Sequence, residues 1–193
     1  HLISDTSNIE FDNSIKMLFD NKININFVKS KKNGNRGSYL ECCDQAQKAK
    51  DIIFFVEDDY LFEPNCIDEL IFSYTRLSTL FKNDIFLCPS DYPFYYDSSY
   101  NTSLFIGKQH RWRTVSETLL TFMFSKEILN KHNDKIRLVG EKENDPFEKP
   151  LHSLYEEIQC LAPVNTLANH ISRGVPSVTE DWQKTWKQNY IKS

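Results

Sequence analysis

Three consecutive carboxylates, Glu57, Asp58 and Asp59, close the apolar run Ile52-Ile53-Phe54-Phe55-Val56. Three neighbouring acids repel one another and lose hydration on burial, unless a cation sits among them. In extended chain Glu57 and Asp59 point to one side and Asp58 to the other. Two hard oxygen ligands on one side suit Mg2+ or Mn2+, ions that carry substrate phosphates. A polar strand end with solvated acids is the competing reading, and this segment alone leaves both open.

The run that delivers these acids is short, β-branched and aromatic, as in a strand buried on both faces of a sheet. Other elements flank it in alternation. His1 to Ile3 reads as the end of a strand and Ser4-Asp5-Thr6-Ser7 as a turn. Phe11, Ile15, Leu18 and Phe19 share one helical face. Ile23, Ile25 and Phe27 alternate with asparagines, the period of a half-buried strand. Residues 31–37 form a basic, glycine-containing loop. A helix carrying Tyr39, Cys42, Cys43, Ala46 and Ala49 leads into the acidic strand. Asn65 then caps a helix whose buried stripe is Ile67, Leu70, Ile71, Tyr74, Leu77 and Phe81, and 85–89 reads as another strand. This β-helix-β-helix-β order implies parallel strands with right-handed crossovers, and ligands in such sheets bind beyond the carboxyl ends of the strands. Asp5, the 31–37 loop and the acids at 57–59 all fall at such ends.

The second half is less regular. Tyr92, Phe94, Tyr95, Tyr96 and Tyr100 lie in a long loop, and LFIG, HRWRTV and LLTFMF read as strands of a smaller mixed sheet. Ser125 caps a short helix to His132. Asp145-Pro146-Phe147-Glu148 reads as a capping box with proline at the first helical position. Residues 161–171 are expected to be extended. Ser177 to Glu180 should open a last helix whose Trp182 and Trp186 pack against the sheet.

With 193 residues, 40% hydrophobic and 13% aromatic, the chain is long enough for one domain with a real core. A net charge of −4 argues against a nucleic-acid surface. No apolar run approaches the ~18 residues of a membrane span. Five cysteines without a CxxC pair point to a reduced, cytoplasmic protein.

The segment from Ile23 to Asp59, preceded by Ser4-Asp5-Thr6-Ser7, resembles the nucleotide-sugar half of glycosyltransferases with the glycosyltransferase-A fold, family 2 in particular. The motifs, in family order, are the D-x-S-like turn at Asp5, the loop Lys32-Asn33-Gly34-Asn35-Arg36-Gly37, and Glu57-Asp58-Asp59 in place of D-x-D. The resemblance covers about two thirds of the chain. It implies a single α/β domain over 1–193, with a mostly parallel central sheet, a nucleotide-binding half at 1–89 and an acceptor-binding half at 90–193. It also implies a UDP-sugar donor, a carbohydrate or other hydroxyl acceptor, and Mn2+ or Mg2+.

Under that resemblance Asp59 is a direct metal ligand, and His170 in Asn169-His170-Ile171 completes the metal site. Glu57 touches the ribose or reaches the metal through water, and Asp58 completes the motif. Asp5 accepts from the base edge, although aspartate also serves turns without further function. Arg36 offers its planar fork to a phosphate or the base, or is a solvated loop charge. A base that deprotonates the acceptor is sought across the sugar from the leaving group. Asp145 is the first candidate, Glu148 the second and Glu141 the third, with helix capping as the plain alternative for the first two. Aromatic rings of the 92–100 loop and the His110-Arg111-Trp112-Arg113 stretch, with Trp112 exposed, would form the acceptor cleft; core packing competes for most of these rings. Two other functions remain open: a metal-dependent phosphohydrolase, and a non-catalytic nucleotide- or carbohydrate-binding module.

Overall fold

The computed structural model describes residues 1–5, 8–19, 24–97, 101–171, 183–184 and 186–187. Along the chain lie β1 (Leu2–Ser4), α1 (Ile9–Phe19), β2 (Phe27–Lys29), α2 (Asn35–Ala46), β3 (Ile52–Phe55), β4 (Tyr60–Phe62), α3 (Cys66–Phe81) and β5 (Phe86–Leu87). A 3-10 turn (Pro93–Tyr96) follows, then β6 (Leu104–Ile106), β7 (Arg111–Val115), β8 (Phe122–Ser125), α4 (Lys126–Glu141), α5 (Lys149–Tyr155), β9 (Cys160–Pro163) and β10 (Ala168–His170).

The fold is α/β, built on a six-stranded sheet in the order β3-β8-β5-β9-β7-β6. That sheet is mixed rather than mostly parallel. Only β5 and β9 run parallel within it, and β8 lies antiparallel between β3 and β5. The second-half strands β6, β7, β8 and β9 join this sheet instead of forming a smaller one, and β10 pairs with β4 apart from it. The reason is compositional: β8 is Phe122-Met123-Phe124-Ser125, buried throughout, and such a strand belongs in the middle of a sheet. Among the described residues the other parallel pair, β1 with β2, stands as a separate two-stranded sheet.

Burial on both faces follows the two-residue period. Phe55, Phe86, Phe122 and Phe124 face Tyr39 of α2, Ile136 of α4 and Leu154 of α5. Leu87, Met123 and Leu161 face the other way, onto Leu70 and Leu77 of α3. Helices therefore cover both sides of the sheet. Ile67 and Ile71, expected in the buried stripe of α3, are half exposed, and Cys66 and Ser73 are buried in their place. Asn65 occupies the N-cap of α3 without a side-chain bond to the helix.

Three other expectations change. Trp112 is fully buried, not exposed. Its indole Nε1 donates to Glu69 Oε1 at 3.3 Å, and the Glu69 carboxylate also accepts from Ser73 Oγ and from the backbone N–H of Lys108, Gln109 and His110. The alternation along β7 places Trp112 inward, and the buried carboxylate satisfies its one polar atom. The turn passes so close that a Cβ on Gly107 would stand 2.4 Å from both Ser73 Oγ and Trp112 Nε1. Asp145 does not cap a helix: α5 starts at Lys149, with Glu148 at its N-cap and Pro150 in its first turn. The second proline, not the first, takes the helical position that lacks an obligatory donor. Ser125 caps as expected, accepting from Ile128 N at 3.1 Å, but α4 continues past a kink at His132 to Glu141. The helix expected from Ser177, and Trp182 within it, lie outside the described residues; Trp186 is exposed.

Candidate functional site

The acids at 57–59 follow β3, but the chain does not stay extended through them. Asp58 and Asp59 form a turn, and Tyr60 opens β4. Because β4 pairs antiparallel with β10, His170 stands opposite Tyr60. The backbone N–H of Ile171 donates to the Asp59 carbonyl at 2.8 Å. This register brings His170 Nε2 to 3.0 Å from Asp59 Oδ2. Asp59 Oδ1 is buried with no hydrogen-bond partner. Glu57 is fixed through its backbone N–H, which donates to Thr121 Oγ1 at 3.0 Å. Asp58 points to solvent.

The electrostatics show how crowded this corner is. Burial, followed by the charges of Asp59, Glu148 and Asp58, pushes the Glu57 carboxyl up to about 7. Burial likewise raises the Glu148 carboxyl, against the pull of His152 and His170. Glu148 thus belongs to the same electrostatic cluster as Glu57 and His170. Asp145, its neighbour in sequence, is exposed. Glu141 pairs with Arg137 at 3.2 Å.

This arrangement offers a cation two donors, Asp59 and His170. One oxygen of Asp59 is orphaned, an imidazole stands beside the other, and Glu57 carries surplus negative charge that a cation would relieve. Among the described residues no group of three or more His, Cys, Asp or Glu side chains converges on one point. An ion that keeps its waters and arrives with substrate phosphates needs only one or two protein carboxylates.

The acids form one wall of a cleft of about 840 Å³ that also touches Ser4, Asp5, Tyr39 and the whole of β3. It lies between β1, α2 and the edge of β3 that is unpaired among the described residues. Asp5 sits at the end of β1, and its Oδ2 accepts from Gly34 N at 2.7 Å, which anchors the 31–37 loop. Gly34 adopts φ 82°, a left-handed conformation suited to glycine. Asp5 and the loop therefore meet, as their order along the chain implies. Arg36 is engaged elsewhere. Its Nε and Nη2 donate to the carbonyls of Gly140 and Glu141, at 3.1 and 2.8 Å, where a cation complements the end of α4. Through these two donors it clamps the end of α4, so it is neither a merely solvated loop charge nor wholly free for an anion.

Sequence reasoning did not single out Tyr60 or Thr121, and it named Tyr92 only as one ring of the 92–100 loop. Tyr60 directly follows the acids and was within reach of a reading that continued into β4. Thr121 comes from a distant segment, and nothing local marks it; nothing local pairs Tyr92 with Tyr60.

Comparison with known proteins gives no family model, curated protein or solved structure that matches the chain.

Proposed function

We propose that this protein is a metal-dependent glycosyltransferase with a glycosyltransferase-A-like fold. It moves a sugar from a nucleotide-diphospho-sugar, UDP-sugar preferred, to an acceptor hydroxyl, with inversion favoured. The observation that carries the reading is that Asp59, one wall residue of a cleft that also holds Asp5, meets His170 at 3.0 Å. The cleft lies within the ~300–1,000 Å³ range of small-molecule sites.

In this reading Asp59 and His170 hold Mn2+ or Mg2+, which supplies Lewis-acid neutralisation of the departing diphosphate. Asp5 and the loop it anchors border the nucleoside. Glu57, beside Asp59 in the same cleft wall, accepts from a ribose hydroxyl or reaches the metal through a water. Glu148 takes the acceptor proton. Burial makes it a stronger base than an exposed Asp145. No helix among the described residues is long and apolar enough to cross a membrane. All five cysteines are free thiols, which suits a reducing compartment such as the cytoplasm.

A phosphohydrolase that clamps two metals needs more ligands than converge here. The test is a calorimetric titration of UDP, with GDP as control, in Mn2+ and then in EDTA. Metal-dependent binding selective for UDP supports the reading, and its absence in Mn2+ refutes it. Transfer or hydrolysis of a UDP-sugar then separates an enzyme from a binding module.

A further inference from the structure

We infer that Tyr60 is a positioning residue: its ring sets the plane of the His170 imidazole, and its hydroxyl, bonded to Tyr92, ties that imidazole to the loop over 89–97. The inference rests on the reading of Asp59 and His170 as a metal pair and deepens it.

Three observations carry it. Tyr60 and His170 are direct partners in the β4–β10 register, so their side chains rise from the same face. Their rings lie 4.8 Å apart between centroids and 36° between planes, a tilted stack rather than an incidental edge contact. The Tyr60 hydroxyl is hydrogen-bonded to the Tyr92 hydroxyl, and both residues are buried.

A ligating imidazole turns about two side-chain bonds, and something must fix its plane before Nε2 points at an ion. Asp59 constrains Nε2 itself. The ring face is constrained by Tyr60. A leucine would fill similar space without a flat surface, and the imidazole would then sample other rotamers. Phenylalanine would keep the surface. The hydroxyl pair adds a different constraint, because it fixes Tyr60 to a residue of another element. Tyr92 is itself stacked on Phe94, 5.0 Å away at 24°, and packed against Tyr95 at 5.6 Å. The aromatic loop and the metal pair are thereby parts of one packed unit.

The test uses the full chain and Mn2+ as the probe. In the wild type, electron-spin-echo modulation from an imidazole ¹⁴N should accompany bound Mn2+. Tyr60→Leu should weaken Mn2+ binding by about 10-fold or more, as supporting contacts of metal ligands do, and should lose that modulation. Tyr60→Phe should retain it. In the metal-free protein, the His170 ring protons should carry an upfield ring-current shift in the wild type and in Tyr60→Phe, and lose it in Tyr60→Leu. Tyr92→Phe should reduce that shift by releasing the Tyr60 ring, which keeps the anchoring testable even if Tyr60→Leu does not fold. Unchanged Mn2+ affinity and modulation in Tyr60→Leu, or an unchanged shift in Tyr92→Phe, would overturn the inference. Wild-type Mn2+ binding without ¹⁴N modulation would instead sink the metal pair, and the inference with it.

Discussion

His170 and Asp59 are 111 positions apart in the chain, yet Nε2 of one lies 3.0 Å from Oδ2 of the other. The cause is a three-residue antiparallel pairing, β4 with β10, that starts immediately after the acidic run. A hydrogen-bonded ladder fixes this approach to within a fraction of a residue. The His170 side chain is nearly buried, at 10% exposure, and the Asp59 side chain is 46% exposed. Of the two, Asp59 lines the cleft.

Removing either member should separate metal binding from folding. Asp59→Ala and His170→Ala should each abolish Mn2+-dependent UDP binding in calorimetry while leaving the circular dichroism unchanged. Asp59 sits in the turn before β4 and His170 ends β10, so neither belongs to the two core clusters on the six-stranded sheet. Undiminished binding in both variants would exclude them as ligands.

The two acids of the 145–148 segment make opposite predictions. Glu148→Gln should preserve UDP affinity and lower transfer by about 10²–10⁴, the usual contribution of a general base. Asp145→Asn should leave turnover near wild type, because its side chain is exposed. The reverse pattern in steady-state rates would return the base to Asp145.

Glu69 should be a stability residue with a defined pH signature. Burial alone would raise its pKa, but the donors from Gln109, Ser73, Trp112 and Lys108 outweigh that and hold it below the ordinary carboxylate value. A lowered folded pKa means that the contribution is complete above the unfolded value of about 4.3. It is lost as pH falls through the folded value. Glu69→Ala strands several buried donors and should cost roughly 3 kcal/mol, or about 6–12 °C in Tm for a chain of this size. Glu69→Gln should melt below wild type at pH 7, with the gap closing as the melts move below pH 4. A gap that persists in acid would show that shape, not charge, sets the cost.

β3 offers a fourth test. Its sequence is that of an interior strand, yet among the described residues it pairs only with β8. Val56, the next residue, is 50% exposed and lines the cleft. Apolar free edges promote association, and a lysine on such an edge opposes it. Val56→Lys should reduce concentration-dependent self-association of residues 1–193 in sedimentation velocity without lowering Tm. Equal association in both proteins would mean that this edge is not the sticky surface.

Local pattern was enough for much of this molecule. The run at 52–56, the amphipathic helix after the 31–37 loop, the Ser125 cap and the three short strands around Trp112 were all legible, because each depends on neighbours two to four residues away. The candidate metal pair was visible as residue types but not as a distance. Only the β4–β10 register makes Asp59 and His170 neighbours, and register is a property of two strands at once. The mixed sheet escaped for the same reason: alternation of strands and helices in the first half implied parallel pairing, and nothing local says that β8 will enter between β3 and β5. Trp112 looked exposed because its neighbours are basic, but strand alternation turned it inward to Glu69, which lies 43 residues away. Arg36 looked like an anion ligand because of its loop, and tertiary packing gave its donors to the end of α4. The sequence determined which groups could do chemistry and which segments could form elements, since both follow from covalent structure and short-range contact. Tertiary structure decided which of those groups share a site, because that depends on pairings between segments too far apart for any local period to encode.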